Sequence, residues 1–183
     1  MDVTGPDRYR PDMDRWIALL RGVNVNGITI RSAELADLFR GLGFDDVRTV
    51  LASGNVVFSA DVPADRLKTS IEQGLRDRFG YDAWIVLVRH DALAAVVDGL
   101  PFERADDRHD YVVFGSDDGA LDALVADLGL DDSVEQVTRG DGVVYWSCPK
   151  GLSTDTVFAK RAGAARFKRS TTTRNTNTLR KLL

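Results

Sequence analysis

Helix and turn signals in this chain recur at a nearly constant offset, and that offset limits the folds open to it more than any single motif does. Helix starts fall at residues 32 and 118, hairpins begin at 47 and 133, and second helices begin at 64 and 153, giving offsets of 86, 86 and 89 residues. In a chain of 183 residues this leaves room for two copies of one unit and short connections.

The first copy is readable residue by residue. Trp16 to Leu20 is an unbroken apolar run, the pattern of a strand buried on both faces. Ser32 is placed to cap a helix, in which Leu35, Leu38, Phe39 and Leu42 form an apolar stripe before Gly43. Val47 to Leu51 and Asn55 to Ser59 read as a hairpin around Ala52-Ser53-Gly54. A helix from Pro63 carries Leu67, Ile71, Leu75 and Phe79 on one face and stops at Gly80, and a strand runs from Ala83 to Val88. The order β-α-β-β-α-β is the ferredoxin-like signature. Asp91 to Asp98 predicts a short helix capped by Asp91, closed by the turn Gly99-Leu-Pro-Phe-Glu.

The pattern then returns. Tyr111 to Phe114 predicts a strand, Asp118 to Leu128 a helix ended by Gly129, and Ser133 to Thr138 with Val143 to Ser147 a second hairpin, after which Ser153 opens a helix. The expected fold class is therefore α+β, a tandem of two ferredoxin-like halves with antiparallel sheets and a C-terminal helical segment. The expected organisation is a disordered leader over 1–13, a first half over 14–90, a connecting helix and loop over 91–108, a second half over 109–165, and a basic segment over 166–183 that packs back on the body. Met13 stands as an alternative start to Met1.

Charge is unevenly spread. From Lys150 onward there are nine basic residues and one acid, a balance of +8, so the net −4 of the whole chain leaves −12 for the remainder. Such a tail can attract phosphates or nucleic acid, or dock on its own acidic body. A single cysteine, Cys148, rules out an internal disulfide framework, and no apolar run is long enough to span a bilayer. The expectation is a cytoplasmic protein without membrane contact, of open oligomeric state.

Two polar clusters stand out as candidate site. One follows the first strand, Arg21-Gly-Val-Asn-Val-Asn-Gly, and offers Arg21, Asn24 and Asn26; the other, Thr171 to Thr178, offers Thr172, Thr173, Arg174, Asn175 and Asn177. The equivalent of the first loop in the second half is only Gly115-Ser116-Asp117, and loops longer than a scaffold requires tend to carry function. A plain β-ribbon fits the same residues, since Val23, Val25, Ile28 and Ile30 alternate around Asn26-Gly27. Ser53 and Asn55, in the first hairpin turn, join the candidates as residues able to reach the Arg21 loop or to bond nearby backbone. If Thr172 or Thr173 caps a final helix, Arg174 falls in its first turn, where a cation is disfavoured and a bound oxyanion or a carboxylate of the body would relieve it.

The matching stretches Ala18-Leu-Leu-Arg-Gly-Val-Asn-Val, Val47-Arg-Thr-Val-Leu-Ala-Ser-Gly-Asn-Val-Val-Phe, Pro101-Phe102 and Thr172-Thr-Arg-Asn-Thr-Asn-Thr-Leu-Arg-Lys-Leu resemble the bacterial family known as domain of unknown function 1697. The resemblance implies an α+β fold with ferredoxin-like elements and brings no established activity. The chain departs from the family pattern at Thr176, where tryptophan is usual, at Asn26, where a second glycine is common, and in Ser-Thr-Asp-Thr-Val after Gly151.

Signatures of phosphate-binding loops, dinucleotide folds and nucleophile elbows are missing, and His90, His109 and Cys148 have no metal-ligand spacing. No cofactor and no metal are expected, and no catalytic residue is assigned. The leading expectation is a binding module for a phosphorylated small molecule or a nucleic-acid backbone, formed by the Arg21 loop and residues 172 to 177. The alternatives are a phosphate-linked enzyme that uses Arg21 and Arg174 electrostatically, and a structural or oligomeric protein in which both motifs are intramolecular clasps.

Overall fold

A computed structural model of the chain describes residues 13–21, 29–52, 54–80 and 84–183. Two four-stranded antiparallel sheets and seven helices are found among them. The first half runs β1 (Asp14–Leu20), α1 (Ser32–Gly41), β2 (Asp45–Thr49), β3 (Asn55–Ala60), α2 (Ala64–Phe79), β4 (Ile85–Arg89) and α3 (His90–Asp98). The second runs β5 (Arg108–Gly115), α4 (Asp118–Val125), β6 (Gln136–Arg139), β7 (Val143–Pro149), α5 (Val157–Ala162), α6 (Ala165–Lys168), β8 (Thr171–Asn175) and α7 (Thr176–Arg180). Strand orders are β2-β3-β1-β4 and β6-β7-β5-β8, so each half places its strands in the same way.

The strand period decides the layers. In β1, Trp16, Ala18 and Leu20 face α1 and α2 and pack with Leu35, Phe39, Leu67, Ile71 and Leu75, whereas Ile17 and Leu19 face the other way. There they meet Val112 and Phe114 of β5 and Val143 and Tyr145 of β7, with Leu93 of α3 and Leu179 of α7 at the margin. The two sheets are thus back to back, with α1 and α2 on the outer face of the first and α4, α5 and α6 on that of the second, while α3 and α7 border the layer between them. This explains the unbroken apolar run at 16–20: both faces of β1 are buried, so no position is left for a polar alternation. A third cluster, with Val113, Leu121, Leu124, Val144, Trp146 and Phe158, fills the space between the second sheet and its helices.

Several boundaries differ from the sequence reading. Arg31, not Ser32, is the N-cap of α1, and its backbone N–H donates to the Glu34 carboxylate at 3.2 Å. Arg89 caps α3 while Asp91 sits in its first turn, and α4 ends at Val125, short of Gly129. The helix expected from Ser153 begins at Val157, because Thr156 is the residue whose hydroxyl accepts from Ala159 N, at 3.2 Å. The first hairpin leaves its ladder at Thr49 and turns through Leu51, which holds a left-handed φ of 59°.

The largest correction concerns the C-terminus. Residues 171 to 175 form no helix but the edge strand β8, paired antiparallel with β5. The final helix starts at Thr176 and is capped by Asn175, whose Oδ1 accepts from Asn177 N at 2.8 Å. Three consecutive β-branched threonines favour the strand, and β5 supplies the ladder it needs. The second sheet therefore takes its fourth strand from beyond residue 165.

Candidate binding groove

The pleat of β8 divides the C-terminal motif between two faces. Thr172 and Arg174, opposite Phe114 and Val112, turn to the inter-sheet layer, while Thr171, Thr173 and Asn175, opposite Gly115, Val113 and Tyr111, turn to the helix side. Arg174 is consequently 9% exposed. Its Nε donates to Asn55 Oδ1 at 2.7 Å, Nη1 to Thr172 Oγ1 at 2.7 Å and Thr173 O at 3.0 Å, and Nη2 to Leu20 O at 2.6 Å. Every one of these acceptors is neutral. Burial, and after it the nearby Arg21 cation, lower the Arg174 pKa from the ordinary guanidinium range to about 10, so the group stays charged at neutral pH.

The helix-terminus argument for Arg174 is thus overturned: it lies in a strand and joins the second half to the ends of β1 and β3. Asn55, 1% exposed, belongs to the same network; its Nδ2 donates to Val50 O at 3.0 Å. Asn24, Asn26, Ser53 and the alternative β-ribbon over 23–30 lie outside the described residues, except for its end at Thr29 and Ile30. Thr172 and Thr176 are buried, and Asn177 lines a separate cavity of about 170 Å³ with Phe102, Arg104, His109 and Lys150.

Arg21 is placed differently from Arg174. It follows the last residue of β1, donates from Nη1 to Thr171 O, and lines an open groove of about 820 Å³ with Lys168, Thr173, Asn175, Tyr111 and Trp146. The two polar clusters therefore do meet, through Arg21 on one side and Thr173 and Asn175 on the other. The outer helices of the second half are shorter, α5 and α6 having 6 and 4 residues where α2 has 16, and among the described residues the groove lies beside them. Among the described residues lining it there are two cations, Arg21 and Lys168, and no carboxylate.

Two features of this groove escaped the sequence. Tyr111 and Trp146 are register partners on β5 and β7, stacked with centroids 4.8 Å apart, and Trp146 in turn lies 5.3 Å from Phe158. Glu135, 1% exposed, fixes this arrangement: one oxygen accepts from Trp146 Nε1 and the other from Phe158 N, both at 3.0 Å. The spacing of two aromatics 35 positions apart carries no signal until the hairpin register is known. Among the described residues no group of three metal-ligating side chains occurs, and no helix is long and apolar enough to cross a membrane.

Cys148 is fully buried on β7, and burial raises its thiol pKa from 9.0 to about 11, with Glu135 adding to the shift. The folded chain keeps this proton between pH 9 and about 11 while the unfolded chain releases it, so this group's contribution to stability falls as pH rises through that window. Native protein at pH 8 is expected to leave Ellman's reagent unreacted and to release one equivalent of chromophore in denaturant. Rapid labelling of native protein would show the thiol to be accessible.

Two antiparallel sheets set back to back, outer helices, and a basic groove where those helices are short define a class of α+β protein. The chain belongs to the family described as protein of unknown function DUF1697, whose profile matches residues 13–145. It is similar to the conserved bacterial protein SP0830 from Streptococcus pneumoniae, with a TM-score of 0.79 and 27% identity over 93% of this chain and 97% of that one. An unknown protein from Galdieria sulphuraria is 12% identical, with a TM-score of 0.29 over 90% of this chain and 98% of that one. No curated protein matches.

Proposed function

We propose that the protein is a binding module that holds a phosphate-bearing ligand in the groove beside β8, on a tandem of two ferredoxin-like halves. The observation that carries this reading is the composition of the groove wall: Arg21 and Lys168 without a carboxylate among the described lining residues. Thr173 adds a hydroxyl and Asn175 an amide N–H₂, its Oδ1 being used to cap α7. Cations, hydroxyls and amides at one wall are the groups that bind an oxyanion. An anion there would also relieve the repulsion between Arg21 and Arg174. The described lining groups supply charge and hydrogen bonds but no histidine or carboxylate, the side chains that most often serve as general base, which favours binding over catalysis. Arg174 and Asn55 serve as an intramolecular clasp behind the site.

The test is a thermal-shift screen against inorganic phosphate, sugar phosphates and nucleotides at two salt concentrations. A ligand at about 100 times its Kd adds roughly 2.7 kcal/mol, a rise of about 5 to 10 °C for a chain of this size. Lys168 is exposed, so Lys168→Glu is expected to fold normally and to abolish the rise. A rise that survives in Lys168→Glu would place the ligand elsewhere. Uniform shifts with every polyanion that vanish in salt would reduce the finding to a basic surface.

A further inference from the structure

Resting on that reading, we infer that the phosphate-bearing ligand is a nucleoside phosphate whose base stacks on Tyr111. Phe158, Trp146 and Tyr111 form a row of rings, with Trp146 between neighbours at 5.3 and 4.8 Å, and Tyr111 lines the groove. Trp146, Tyr111 and Asn175 are successive cross-strand neighbours on β7, β5 and β8. Trp146 stacks on one side of the Tyr111 ring, His109 meets that ring edge-on at 6.2 Å with its Nδ1 3.4 Å from the Tyr111 hydroxyl, and Asn175 is the register neighbour on the other side.

Three properties suit a base at that place. The platform is rigid, since the Glu135 carboxylate holds the indole of Trp146 at 3.0 Å and leaves little ring freedom to be lost on binding. The Asn175 amide stands beside the ring and can bond a base edge, as side-chain amides do with splayed bases. Arg21 and Lys168 occupy the same groove, so a stacked base and a held phosphate require only one ligand. A volume of about 820 Å³ lies within the usual range for small-molecule sites. Neither a sugar phosphate nor inorganic phosphate uses the ring.

The experiment is a titration of the full chain by calorimetry with AMP, UMP, ribose 5-phosphate and inorganic phosphate, repeated with Tyr111→Leu and Tyr111→Phe. Nucleotides are expected to bind roughly 5- to 150-fold more tightly than ribose 5-phosphate, as stacking on one aromatic ring gives. Tyr111→Leu should erase that difference and Tyr111→Phe should keep it. An octauridylate that binds more tightly than UMP with the same dependence on Tyr111 assigns the unit to a strand, and equal affinity assigns it to a free nucleotide; both support the inference. Equal affinity for nucleotides and ribose 5-phosphate in the native protein overturns it while leaving the phosphate reading intact, and this comparison stands even if Tyr111→Leu fails to fold. Binding of none of the four overturns both.

Discussion

Arg174→Ala is expected to lower the unfolding free energy by about 3 to 5 kcal/mol and the midpoint by on the order of 10 °C. At least four hydrogen bonds leave with the guanidinium, among them those to Asn55 Oδ1, Thr172 Oγ1, Thr173 O and Leu20 O, acceptors enclosed between the sheets or at their ends. Bonds to a charged donor contribute about 1.5 to 3 kcal/mol each, and the cost of dehydrating the cation offsets a large part of their sum. Arg174→Lys should recover little, because one ammonium cannot reach acceptors spread around a planar fork. Urea unfolding at pH 7 measures the loss. A change below about 1 kcal/mol would show that the halves are held by apolar packing alone, with Arg174 an incidental guest.

Glu135→Ala is expected to cost about 3 kcal/mol, since it strips two buried N–H groups, those of Trp146 Nε1 and Phe158, of their acceptor. Glu135→Gln is the sharper experiment. Its single oxygen can serve one donor, and its N–H₂ then faces the other, so the nearly isosteric change should cost about 2 kcal/mol. Both variants should shift tryptophan emission towards that of a mobile indole before any unfolding occurs. Unchanged emission together with unchanged stability would remove Glu135 as the anchor of the aromatic row, and with it the argument for a rigid platform under Tyr111.

Much of the fold was legible because it depends on short-range patterns. The apolar stripes of α1 and α2, Gly80 as the stop of α2, with φ of 65°, and the order of elements in the first half and as far as β7 in the second follow from helix and strand periods and from turn chemistry. Misreadings arose where two local signals compete. At 171–175 the threonines suit both a helix cap and a strand, and pairing with β5 decided for the strand. At 153–157, Ser153 and Thr156 are both plausible caps, and the second won once residues 149–155 were turned back beside β7.

The candidate site was legible as chemistry but not as place. Arg21 and the C-terminal cluster were recognisable as cations, hydroxyls and amides, and Arg21 does share a groove with Thr173 and Asn175. Which face Arg174 takes is a matter of one residue in strand register, and that single step sends it into the core and its neighbours to the surface. Tyr111, Trp146 and Glu135 come together only because β5, β6 and β7 lie side by side. Sequence by itself determined the α+β class, the apolar faces of its main helices and strands and the excess of positive charge near the C-terminus, because periodicity and composition act locally. Only the tertiary structure decided which cation is a clasp and which lines a groove, because burial of a charge depends on what packs against it from the distant half of the chain.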